Sequence, residues 1–169
     1  MPTKFSSSGE KIIEEYSRKY GLNFTILRYG SLYGPHANKF NSISNIIESA
    51  LLKKSIEREG DGEELRDYVF IDDAAEMTYE TLADDYLNKH VLISGNQQIK
   101  VKDLLIMLNE ILGGEIKISY KDKDTDELHY GLTPYSFKMN SAKRIVLKNF
   151  TDLGDGLLQV IQGVSERKK

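Results

Sequence analysis

Two hydrophobic periods alternate along this chain, and the alternation limits its architecture more than any single residue does. Ile12, Ile13, Tyr16 and Tyr20 recur at helical spacing behind the candidate caps Ser6, Ser7 and Ser8, with Tyr16 packing a helix face and Gly21 as the stop. Asn23 to Tyr29 then carries Phe24, Ile26 and Leu27 with no helical stripe, the pattern of a buried strand. Ile43, Ile46, Ile47, Ala50 and Leu51 predict a second helix, Tyr68 to Ile71 a short strand and Ala74 to Leu82 a third helix. His90 to Ser94 reads as another buried strand, and Val101 to Leu112 as an amphipathic helix stopped by Gly113-Gly114. Beyond it come an alternating strand over Glu115 to Tyr120, a charged loop from Lys121 to Glu127, a short helix over Asn140 to Ile145 and a last helix from Leu157 to Val164. Helices and strands in turn predict an α/β fold.

At 169 residues the chain is long enough for one domain with a real core. Its 29% charged residues nearly balance to a formal charge of −3, which gives no electrostatic reason to expect nucleic acid as a partner. Any phosphate binding has to be local. With no cysteine there can be no disulfide or thiolate metal site, and His36, His90 and His129 show no metal-ligand spacing. No apolar run approaches the ~18–20 residues of a membrane span, and Met1 to Phe5 lacks the apolar core of a signal peptide. These features predict a cytoplasmic protein without a membrane partner. No nucleophile elbow of the Gly-x-Ser-x-Gly kind occurs.

Two motifs carry more specific information. Leu27-Arg28-Tyr29-Gly30-Ser31-Leu32-Tyr33-Gly34-Pro35 is an apolar strand running into a Gly/Pro turn. Gly60-Asp61-Gly62-Glu63-Glu64-Leu65-Arg66-Asp67-Tyr68-Val69-Phe70-Ile71-Asp72-Asp73-Ala74-Ala75-Glu76 follows, after a helix-like stretch that contains Asn41. In this order they resemble the extended short-chain dehydrogenase/reductases, the NAD-dependent nucleotide-sugar epimerases and dehydratases such as UDP-glucose 4-epimerase. There a strand ending in Arg-Tyr/Pro-x-Asn-x-Tyr-Gly-Pro precedes a Gly-x-Gly-x-x-x-Arg-Asp-Phe/Tyr-Val segment. Val91 to Gly95 and Val101 to Leu105 extend the likeness over nearly the whole chain.

The resemblance implies the C-terminal part of a Rossmann-type fold with its substrate-binding lobe, the first Rossmann half missing. Residues 1–35 and 88–113 then represent the Rossmann sheet layer and residues 36–87 and 114–169 the substrate lobe, in a single domain. In that family a glycine-rich turn after the first strand lets the NAD pyrophosphate approach a helix N-terminus. Here Gly60-x-Gly62 and Gly113-Gly114 do not sit between a first strand and a helix, and read as tight turns. NAD therefore belongs to the complete family fold rather than to this chain alone.

The family's catalytic pair is Tyr-x-x-x-Lys, running on to a Gly-Glu that resembles Gly9-Glu10. Counting back from Glu10 puts the tyrosine position at Pro2 and the lysine position at Ser6. Neither side chain can act as acid or base, and Tyr16 with Lys19 or Tyr20 has the wrong spacing, so no catalytic residue carries over.

A nucleotide sugar needs a cation for its diphosphate, amide donors and an aromatic or apolar wall for its base. By resemblance, Arg66 contacts the diphosphate or adjoining ribose, Tyr68 stands beside it and Asn41 donates to the nucleotide. Arg66 could instead pair with Glu63, Glu64 or Asp67, and Asn41 could instead be a helix N-cap. Ser31 replaces the family's asparagine, offering one donor instead of two. Tyr29 matches the residue beside the nicotinamide, with core packing as its other role. Asp72, Asp73 and Glu76 could suggest a metal or acid/base pair, although Asp73 reads better as the cap of a helix beginning at Ala74. His129-Tyr130 and Pro134-Tyr135 fall where relatives place late substrate contacts, without their usual arginine.

The function expected is the substrate-binding portion of a UDP- or dTDP-sugar epimerase or dehydratase, inactive alone, with a separate N-terminal Rossmann chain as partner. The alternatives are a non-catalytic nucleotide-binding or protein-interaction module, and a truncated remnant. Strands at Phe24 to Leu27 and Val91 to Ile93 would leave an open sheet edge, which predicts either binding of the missing half or a homo-oligomer.

Overall fold

The computed structural model describes residues 4–38, 40–121 and 142–167. Pro2, the 122–141 stretch with His129, Tyr130, Pro134 and Tyr135, and the last two lysines lie outside the described residues.

Helix α1 (Lys4–Tyr20) leads into β1 (Thr25–Tyr29), which runs parallel to β5 (Lys89–Ile93), itself parallel to β8 (Ala142–Arg144). A second sheet joins β2 (Ser31–Tyr33) in parallel to β4 (Leu65–Phe70), with β6 (Gln98–Lys100) antiparallel on the far side of β4. A third pairs β3 (Ser55–Glu59) with β7 (Lys117–Lys121) in parallel. The remaining helices are α2 (Ser42–Lys53), α3 (Ile71–Glu80), α4 (Val101–Ile111) and α5 (Leu153–Glu166).

The chain passes from the first sheet to the second twice, and both passages are glycines pressed against the backbone of β4. A Cβ on Gly30, between β1 and β2, would lie 2.6 Å from the Asp67 carbonyl oxygen. On Gly95, just past β5, it would lie 1.9 Å from the Tyr68 carbonyl oxygen. The Gly30 N–H also donates to the Ile93 carbonyl at 2.8 Å, which links the two passages directly.

Two apolar clusters lie on either side of this arrangement. Ile43, Ile47 and Ala50 of α2, Leu104 and Leu108 of α4 and Val160 of α5 form the larger one, around Tyr33, Ile56 and Phe70. The smaller packs Ala74 and Met77 of α3 against Val69, Val91 and Ile93. Helix α1 belongs to neither. Its Ile12, Ile13, Tyr16 and Tyr20 are exposed, and two ties from its polar side hold it to the sheet. Glu10 takes both Nε and Nη2 of buried Arg28, at 2.7 and 2.6 Å, and Glu14 meets Nε2 of His90 at 2.8 Å. Tyr16 therefore does not pack a core face; it lies against Tyr20, ring centroids 5.3 Å apart.

Several local expectations change. Ser6, Ser7 and Ser8 fall inside α1 rather than ahead of it, at a cost of about 0.5 kcal/mol each relative to alanine. Residues 142–144 form β8 instead of a short helix, because pairing with β5 decides so short a segment. Ile71 opens α3 rather than closing a strand, and β2, β3 and β6 are additions, each only three to five residues long.

Gly95→Ala is expected to lower stability to urea by about 3 kcal/mol, since the new methyl must displace the β4 backbone rather than a mobile side chain. A stability loss below about 0.5 kcal/mol would show that this passage is not tightly fitted.

Candidate functional site

The candidate site is one face of β4. Residues Glu64, Arg66 and Tyr68 follow at the strand period of two, so they share a face. Parallel pairing sets Ser31 opposite Tyr68 and Tyr33 opposite Phe70. The Tyr68 ring meets Tyr33 edge-on at 6.3 Å, which closes the inner end of the face with aromatic surface. Burial pushes the Tyr68 phenol up to about 12, against the pull of the Arg66 and Arg58 guanidiniums. A neutral phenol beside two cations can donate to an anionic ligand and offer its ring to a base.

Each residue named in the sequence as a partner for Arg66 has an engagement of its own, and Arg66 is itself not without a contact. Glu63 is held by Lys100 at 2.8 Å and by Lys102, which bring its carboxyl down to about 2. Glu64 pairs with Arg58, and Asp67 points to the other face of β4, where burial raises its carboxyl above the usual range. Arg58 and Glu64 were not foreseen as site residues. The available signal was the placement of Glu64 one strand period before Arg66, in the turn that brings β3 back to β4.

Asn41 is the N-cap of α2. Its Oδ1 accepts from the Ser44 N–H at 3.1 Å and its Nδ2 donates to the Leu32 carbonyl at 2.8 Å. The cap fixes the start of α2 to β2 and engages one of the amide's two N–H donors. Tyr29 stands apart from the β4 face. Its hydroxyl is 2.7 Å from Thr78 Oγ1, and its ring lines an open, apolar groove of about 440 Å³ with Leu32, Ile71, Ala74, Tyr79 and Leu82.

Asp73 is not the cap of α3, which starts earlier, at Ile71, after Phe70. Instead its carboxylate accepts from the Thr151 N–H at 3.0 Å and the Thr151 hydroxyl at 2.8 Å, joining α3 to the approach of α5. Between these elements, Tyr33, Tyr68, Asp73, Asn96, Gln97 and Thr151 line a small cavity of about 20 Å³, the room of a single water.

A pyrophosphate cradle for NAD needs a glycine turn that opens a helix. Among the described residues α3 opens after Phe70 and α4 after Lys100, and the positive-φ glycines Gly113 and Gly114 follow the end of α4. Helix α5 opens on Gly154 and Gly156, but Asp152 takes the Gly154 N–H at 2.8 Å and Gly156 lies against the Tyr33 ring. Gly60 and Gly62 turn β3 into β4. The described residues therefore do not fit the NAD pyrophosphate.

A sequence profile described as the NAD dependent epimerase/dehydratase family matches residues 7–93, slightly more than half of the chain. The chain belongs to that family. A UDP-glucuronate 4-epimerase of Thermodesulfobacterium geofontis is 30% identical over 105 residues, covering 62% of this chain and 32% of its own length. The Bacillus cereus UDP-glucuronic acid 4-epimerase, solved with UDP-glucuronic acid and NAD, superimposes on 95% of this chain and 51% of that one, with a TM-score of 0.77 and 22% identity. The Bacillus anthracis dTDP-glucose 4,6-dehydratase, solved with NAD, gives 0.78 over 98% of this chain and 53% of that one, at 19% identity. These likenesses establish the fold as that of Rossmann-type epimerases and dehydratases. The chain spans about half the length of the solved relatives it matches.

The raised Tyr68 pKa has a pH consequence. Folding favours the neutral phenol, so its contribution is fully present below pH 10 and is lost as pH rises through about 12. Thermal melts across that window should show a steeper fall for the wild type than for Tyr68→Phe; identical pH profiles would contradict the burial of this phenol.

Proposed function

We propose that this chain is the substrate-binding portion of an NAD-dependent sugar-nucleotide epimerase or dehydratase. The observation that carries the proposal is the β4 face, where Ser31, Arg66 and Tyr68 stand together with the chemistry a nucleoside diphosphate sugar requires. Arg66 engages the diphosphate or adjoining ribose, Tyr68 presents its ring and hydroxyl, and Ser31 makes a single short-range hydrogen bond in place of an amide. Asn41 acts mainly by anchoring α2 against β2 and so shaping the wall of the site. The substrate is a UDP- or dTDP-linked sugar.

The NAD site and the proton-transferring residues come from a Rossmann half, in the same protein or on a separate chain, without which these residues are inactive. In this arrangement the described parts of residues 1–35 and 88–113 extend that half's sheet, while those of 36–87 and 114–169 face the sugar nucleotide. Tyr29 lies near the nicotinamide only once that partner is in place. β1 has β5 on one side and no strand among the described residues on the other, so its free edge suits a further strand. Exposed Ile12, Ile13, Tyr16 and Tyr20 on α1 give the same region apolar surface to cover. In the partner's absence that surface favours a homo-oligomer. A cytoplasmic location goes with this role.

Calorimetry with UDP- and dTDP-sugars tests the substrate assignment. The wild type should bind at least one of them, and Arg66→Ala should weaken it by roughly tenfold or more, the usual worth of a charge-assisted contact. No heat from the wild type, or equal binding by the variant, contradicts the nucleotide site and favours a protein-interaction module. Sedimentation tests the open edge separately. Self-association is expected at micromolar concentrations, and a stable monomer throughout would count against it.

A further inference from the structure

Arg58 lies on β3 and reaches across the Gly60–Gly62 turn to the β4 face. Its Nη2 donates to Glu64 Oε1 in an ion pair largely removed from water, with side-chain exposures of 22% and 4%. A carboxylate bonded through one guanidinium nitrogen leaves most of an arginine's five donors unspent. Arg58 Nε is buried and has no hydrogen-bond partner among the described residues. A buried donor left in that state is costly, and the planar fork it belongs to matches a phosphate oxygen pair. The cation also stands close enough to Tyr68 to act on its phenol alongside Arg66.

We propose that Arg58, oriented by Glu64, is a second guanidinium contact for the diphosphate of the bound nucleotide. The inference rests on the nucleotide-sugar reading of the β4 face and adds a residue to it. Glu64 holds the guanidinium in place through Nη2, and the N–H groups it leaves unbonded are those a phosphate would engage. Arg58 and Arg66 together supply two positive charges to a group that carries at least two negative ones, with one of the two cations partly offset by Glu64. A sugar nucleotide would then be held through its diphosphate more firmly than the single hydroxyl of Ser31 allows.

Calorimetric titration of the whole chain with UDP tests the assignment in three forms: wild type, Arg58→Gln and Arg58→Lys, with thermal melts on each. The expected result is at least a tenfold loss of UDP affinity in Arg58→Gln. Arg58→Lys should fall between the two, because it keeps the charge and loses the fork. A purely structural ion pair would lower the melting temperature and leave UDP affinity unchanged in the folded variants, which overturns the proposal. Should Arg58→Gln fail to fold, Arg58→Lys decides: a loss of threefold or more supports the contact, and unchanged affinity overturns it. No UDP binding by the wild type would instead overturn the nucleotide reading itself, and this inference with it.

Discussion

The close approach of two glycines to the β4 backbone is the constraint on which the candidate site depends. Gly30 and Gly95 stand where the chain leaves one parallel sheet for the next, and each sits where a methyl group would collide with a β4 carbonyl. Because the passages are that tight, Ser31 comes to rest opposite Tyr68 and the strand carrying Arg66 is locked between β2 and β6. The apolar clusters then fix β4 from both sides, with α2, α4 and α5 on one and α3 on the other. The polar face of β4 is thus built on backbone fit, while its chemistry comes from side chains that the fit merely aligns.

The attachment of α1 follows a different physical rule. Its contacts with the sheet are polar, through Glu10 with Arg28 and Glu14 with His90, while its apolar residues face outward. The Arg28 hydrogen bond, with its charge, holds the Glu10 carboxyl below its usual range despite partial burial. That tie is a matched, two-pronged pair of the kind that tolerates desolvation. An amphipathic helix held by its polar side has its hydrophobic side available for another surface, and among the described residues β1 has no strand on its outer side.

Much of this was legible in the sequence, for identifiable reasons. The long amphipathic helices α2, α4 and α5 stood out because their apolar stripes coincide with the core they build. Buried β1 and β5 stood out as short apolar runs bounded by turns. The three-residue strands β2 and β6 escaped because so short a segment carries no period, and β3 because Ser55-Ile56-Glu57-Arg58-Glu59 is mostly polar. Of the candidate residues, Ser31, Arg66 and Tyr68 lie at neighbouring positions of β2 and β4, whereas Asn41 caps α2 and Tyr29 lines the α3 groove. Asp73 was misread as a cap because its true partner, Thr151, lies far along the chain, and no local pattern reveals such a pair.

The central claim is that the β4 face, and not the α3 groove, receives the nucleotide. Amide chemical-shift mapping of the chain during titration with UDP tests it most directly. The account predicts saturable shifts concentrated at Ser31, Arg58 and residues 64–68, with little change at Thr78 and Leu82. Shifts centred on the groove beside Tyr29, or spread without a focus over the surface, would contradict it.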